Sequence, residues 1–141
     1  MKKDVMIRIK GVQTVDGDRD VVELLTTGSF VRREKDYFII YDESEATGFD
    51  GAKTVLRFEP EQRRVTMSRT GTSRSRLVIE KGRRHQCSYA TDYGSMTIGV
   101  LGSAIKSDLS DEGGSISFGY SLDINTALTS ENTVDILIAG Q

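Results

Sequence analysis

Along most of the chain apolar residues recur at every second position, the period of a strand with one buried face. Val5, Ile7 and Ile9 alternate with Met6, Arg8 and Lys10 up to "VDGDRD", where Asp16-Gly17 supplies the positive φ angles of a tight hairpin turn. Further runs lie near Val21–Arg33, Asp36–Glu43, Ala52–Glu59, Gln62–Arg69, Arg74–Lys81, Arg84–Asp92, Ser95–Ile105, Ser115–Asn125 and Thr133–Ala139. "FEPEQ", with Pro60, and "RTGTS", with Gly71, mark hairpin tips. "YDESEATGFDGAK" and "KSDLSDEGGS" read as longer loops with no helix beyond one or two turns. With no repeat, linker or low-complexity tail, the pattern predicts one all-β domain over residues 1–141. Short strands at this spacing suit a barrel or a sandwich. Closure removes exposed edges, so we expect a closed or nearly closed antiparallel β-barrel of eight to ten strands.

Phase along the strands assigns faces. Tyr37, Ile39, Tyr41 and Glu43 share one, and Ile116, Phe118, Tyr120, Leu122 and Ile124 form another whose reverse side is polar and therefore reads as core. Tyr120 is thus an inward tyrosine whose hydroxyl needs a partner. Tyr89 and Thr91 share a phase with His85 and Cys87.

Composition changes this picture in two places. Cys87 is the only cysteine, so no intramolecular disulfide can form and a reducing cytoplasm is the simpler setting. "MKKDVMIRIK" begins basic, but Asp4, Arg8 and Lys10 interrupt any signal-peptide core. The longest uncharged stretch, Tyr93–Ile105, contains three glycines and falls short of a membrane-spanning helix. A soluble cytoplasmic protein with no membrane partner is expected.

Charge is unevenly distributed. The net charge is −2, yet residues 53–85 hold ten basic and three acidic groups. Taking Val65, Met67, Leu77 and Ile79 as core puts Arg64, Arg74 and Arg76 on the outer face, while Arg69 follows the inward phase to its hairpin end. The outward set reads first as a solvated face guarded against edge pairing. It also allows an adaptor for RNA or an acidic protein. Nucleic acid is disfavoured because no Phe, Tyr or Trp lies between Pro60 and Tyr89 to stack on bases. An inward guanidinium, by contrast, requires an acid, water or an anionic ligand.

The order of "YDES", a glycine-containing loop and "KTVLRF", then "SRTG", "YATDYG" and "ISFGYSLDIN", resembles the YwiB-like family of short uncharacterised bacterial proteins over nearly the whole chain. The resemblance implies a calycin-type, lipocalin-like barrel whose interior or open end admits a small molecule. It carries no established activity. This chain lacks tryptophan, and with it the glycine-x-tryptophan signature of lipocalins, so their ligands do not transfer.

Glu43 and Arg69 both reach strand ends in inward phase and are expected to meet at one barrel mouth, as a structural pair or as part of a ligand site. The leading expectation is a noncatalytic barrel binding a small, anionic molecule through Tyr41, Glu43, Arg69, Tyr89, Thr91 and Tyr120. No cofactor or metal is expected: His85-x-Cys87 offers two ligands where zinc needs four, and "DGDRD" lacks the later glycine and glutamate of a calcium loop. The sole histidine, without a G-x-S-x-G elbow or a phosphate-binding glycine loop, gives no pointer to an enzyme, although His85 and Cys87 leave a hydrolase open. Nothing in the sequence specifies an oligomeric state.

Overall fold

The computed structural model describes residues 1–47, 49–91 and 94–140, with the side chains of Ala46 and Thr91 excepted. Ten strands follow one another: β1 (Lys2–Val15), β2 (Asp18–Arg33), β3 (Asp36–Asp42), β4 (Ala52–Glu59), β5 (Arg64–Gly71), β6 (Ser75–Glu80), β7 (Arg84–Thr91), β8 (Gly94–Ser110), β9 (Gly113–Ile124) and β10 (Ala127–Gly140). Each pairs antiparallel with its sequence neighbours, and β10 pairs with β1 to close the barrel. The expected architecture is the one observed.

The inward phase reads as predicted. Val5, Ile7, Phe30, Ile39, Leu56, Val65, Ile79, Ile116 and Ile136 are all buried. Charged side chains such as Arg8, Lys10 and Arg57 stand on the outer surface, the inverse of a lipid-facing barrel. No helix is long and apolar enough to cross a membrane among the described residues.

Two expectations need correction. "KSDLSDEGGS" is not a loop: β8 continues to Ser110 and pairs with β9 through Lys106↔Ser117 to Ser110↔Gly113. Its outward polar side chains hide the period, and a register shift between Gly102 and Ile105 breaks the phase inherited from the preceding run. Ile124 is 38% exposed, because β9 ends there in a two-residue turn whose Asn125 and Thr126 both have positive φ. The inward face of that strand therefore stops at Leu122.

The turns after β1, β3, β5 and β9 gather at one end of the barrel, and those after β2, β4, β6 and β8 at the other. The core packs most tightly toward the second end, where only an open depression at the rim, lined by Arg32, Lys35, Tyr37, Phe58 and Leu109, is left among the described residues. Val5, Ile7, Phe30, Val65, Ile79 and Ile116, all from strand segments near it, are less than 2% exposed, and Phe30 stacks on Tyr37 with ring centroids 5.5 Å apart. Arg32 and Asp111 form an ion pair across its rim. The barrel is thus filled by side chains over one half only.

Its thinnest seam lies between β6 and β7, whose ladder holds only Ser75↔Tyr89 and Arg76↔Ser88. Past these pairs the Val78 amide donates to the Cys87 sulfur at 3.3 Å, and the chain after β6 bridges instead to Gly102 of β8.

Candidate functional site: a half-filled barrel with a buried ion pair

The open half holds a cavity of ≈ 320 Å³. β1, β2, β9 and β10 give it a mainly apolar lining of Ile9, Val12, Val22, Leu24, Leu122 and Val134, interrupted by Gln13, Asp20 and Asn132. The polar part of the lining comes from Tyr41, Glu43, Arg69, Tyr89 and Tyr120. Five of the six residues singled out from the sequence therefore line one space. The sixth, Thr91, ends β7, and its side chain lies outside the described residues.

Phase and register put them there. Tyr41 ends the inward row of β3, and Glu43 continues that row into the loop, where its amide donates to the Ala52 carbonyl at 2.9 Å. In the β4–β5 ladder Thr54 pairs with Arg69, so Thr54, Arg69 and Glu43 converge on the inside of the mouth. Thr54 Oγ1 donates to Glu43 Oε1 at 2.6 Å, and Arg69 Nε donates to the same oxygen at 3.3 Å. The predicted meeting of Glu43 and Arg69 is found. The Glu43 side chain is 1% exposed and that of Arg69 14%. Glu43 Oε2 is buried with no hydrogen-bond partner among the described residues.

Phe49 completes the arrangement. It arrives on the loop after β3 and lies over the Arg69 guanidinium, with Cζ 3.9 Å from the ring centroid, a cation–π contact. The nearest partner of Arg69 Nη2 is the Met67 sulfur at 3.9 Å, a weak acceptor. The terminal guanidinium nitrogens therefore hold no oxygen acceptor among the described residues.

The tyrosines respond to this environment. Burial pushes the Tyr41 hydroxyl pKa well above its ordinary value, the Glu43 carboxylate adds to the rise, and Arg69 opposes it. Tyr120 is raised by burial and likewise opposed by Arg69. Both phenols stay protonated at neutral pH; that of Tyr41 is engaged with Glu43 and Thr54, and that of Tyr120 can donate to a ligand oxygen.

Sequence reasoning missed Thr54 and Phe49. Thr54 was detectable as a hydroxyl in the inward phase between Ala52 and Leu56. Phe49 had only a weak signal, a lone aromatic in a loop rich in Gly, Asp and Ser.

The outward basic residues occupy the outer wall. Arg64 is bound by Glu59, with Nη2 2.9 Å from Oε2, and lies 3.7 Å from Glu80. This pairing holds the Glu59 carboxyl below its usual range. Arg74 and Arg76 are exposed and have no acidic partner among the described residues. His85 and Cys87 line no part of the cavity: the imidazole Nε2 is 3.3 Å from Glu80 Oε1, and the buried thiol accepts from Val78. No group of three or more His, Cys, Asp or Glu side chains able to hold a metal occurs among the described residues.

A family model described as a domain of unknown function, DUF1934, matches residues 7–136. The chain belongs to this family. It is 26% identical over 121 residues to the uncharacterized beta-barrel protein YwiB of Bacillus subtilis (strain 168), covering 85% of this chain and 82% of that protein. The crystal structure of the ywiB protein from Bacillus subtilis superposes with a TM-score of 0.84 at 20% identity, covering 99% of this chain and 93% of that one. These likenesses show the YwiB-like family and the barrel fold.

Proposed function

We propose that this protein is a noncatalytic, cytoplasmic binding barrel of calycin type that takes up a small amphipathic molecule in the open half of its interior. The observation that carries the reading is the pairing of an unfilled cavity with a buried arginine whose terminal nitrogens have no oxygen acceptor among the described residues. A guanidinium enclosed in this way binds an anionic or carbonyl oxygen far more strongly than one in water. The Tyr120 hydroxyl stands near it as a further donor, and the mainly apolar lining accepts the ligand's hydrocarbon part. At ≈ 320 Å³ the cavity sits at the small end of the roughly 300–1,000 Å³ range of ligand pockets.

The second reading is an adaptor for RNA or an acidic protein on the outer wall. It is favoured by the charges of Arg74 and Arg76, which have no acidic partner among the described residues, and weakened by the capture of Arg64 by Glu59. Native mass spectrometry of freshly purified protein, beside a denatured control, separates the two. A small molecule released on denaturation supports the cavity. Co-purifying oligonucleotide, lost steeply with salt and in the Arg74→Ser/Arg76→Ser variant, supports the outer wall and overturns the first reading.

A further inference from the structure

Two opposite charges build the polar end of the cavity, and this limits what can occupy it. Resting on the binding reading above, we propose that the ligand's head group is net neutral and presents both an oxygen acceptor to Arg69 and an N–H donor to Glu43. A zwitterionic α-amino acid head or a primary carboxamide, on a short apolar body, has that chemistry.

Three observations converge on it. Glu43 already uses the Nε edge of Arg69, which leaves the Nη1–Nη2 edge as the fork open to a ligand oxygen. Phe49 covers the guanidinium face, so approach is in the plane, as a carboxylate or amide carbonyl requires. Glu43 Oε1 takes both Thr54 and Arg69, while Oε2 is shut off from water with no donor among the described residues. A buried charged acceptor left in that state is costly, and an N–H brought by the ligand would fill it once the Glu43 carboxylate, which lines the cavity, turns Oε2 toward it.

Charge decides against simpler heads. Arg69 and Glu43 cancel, while the third charged side chain of the lining, Asp20, is exposed to solvent and screened. A plain carboxylate would place two carboxylates on one guanidinium in a water-poor site, leaving one negative charge uncompensated, and a plain amine would leave one positive charge beside Arg69. A zwitterion or a carboxamide leaves the balance intact. Leu24, Leu77, Leu122 and Val134 around the remainder suit a branched aliphatic or single-ring body.

The test uses four probes with one hydrocarbon body: L-leucine, 4-methylpentanamide, 4-methylpentanoate and 3-methylbutylamine. Each is titrated into the full chain and followed by amide NMR shifts of the cavity strands. Leucine or the amide should bind about tenfold or more tightly than the carboxylate and the amine. In Glu43→Gln, which keeps shape but removes the negative charge, the order should invert, with 4-methylpentanoate gaining about tenfold or more over its wild-type affinity. Tightest wild-type binding by the carboxylate would overturn the neutral-head proposal and leave the cavity reading standing. No shift at cavity residues with any of the four would overturn both. The wild-type ranking is decisive even if Glu43→Gln fails to fold.

Discussion

Arg69 Nε and Glu43 Oε1 lie 3.3 Å apart across 26 residues of sequence, inside a barrel mouth where the carboxylate is almost wholly enclosed. Such a pair contributes little net stability when intact, because desolvation offsets attraction, but a broken one leaves a buried charge. Arg69→Met and Glu43→Ala should each cost about 3–5 kcal/mol. The double variant should cost clearly less than their sum, because it buries no lone charge. Urea denaturation of the four proteins closes the cycle, and simple additivity would show that the two side chains do not interact.

Gly71 ends β5 with φ +97°, and a Cβ placed there would sit 2.6 Å from the Gly51 carbonyl oxygen. Gly71→Ala therefore meets both backbone strain and a clash with main chain, and should destabilise by about 1–3 kcal/mol. A thermal melt within experimental error of wild type would mean that the two loops are farther apart than described.

The seam between β6 and β7 gives Cys87 a structural duty that its composition signal, a lone thiol, did not reveal. Cys87→Ala removes the acceptor of the Val78 amide and should accelerate hydrogen exchange at that amide by roughly tenfold, with a loss of about 1–3 kcal/mol. Cys87→Ser offers a replacement acceptor and should recover part of the protection. Equal exchange in all three proteins would exclude this role.

Stability should fall toward both extremes of pH. Glu59, Asp111 and Asp123 are held below their ordinary values, each first by a hydrogen bond from Arg64, Arg32 and Arg84 respectively. A lowered folded pKa gives stability that is complete above the unfolded values of 4.5 and 3.8 and is lost as pH falls through the folded ones. Tyr41 and Tyr120 are raised, so their contribution is complete below the unfolded value of 10.0 and declines above it. Urea midpoints should thus be level from about pH 5 to 9 and drop outside it. A midpoint that keeps rising below pH 4 would contradict the acidic arm.

Much of this molecule was legible because its strands alternate cleanly. Period two placed Tyr41, Glu43, Arg69 and Tyr120 on inward faces and tied Tyr89 to the phase of Cys87, and inward residues at the same end of a closed barrel must share a space. Where alternation fails, reading failed with it. The bulge before Ile105 and the polar outer faces of Lys106–Ser110 disguised the end of β8 as a loop. Phe49 lies in a loop, where no period says which way a ring points. How far the interior is filled was also beyond the pattern, since alternation gives the direction of a side chain but not whether its neighbours reach across the barrel. The packed end has phenylalanine and β-branched residues opposed to one another, whereas the open end has tyrosines and a charged pair held back against the wall.

The most direct measurement is the side-chain Nε–Hε NMR resonance of Arg69, assigned by its loss in Arg69→Met and followed as L-leucine or 4-methylpentanamide is added. In the free protein it should be protected from exchange by burial and by Glu43, unlike those of Arg74 and Arg76, and it should shift on binding while theirs stay fixed. An Arg69 resonance that exchanges as fast as the exposed arginines, or that stays still while Arg74 and Arg76 move, would contradict a ligand site built on this arginine.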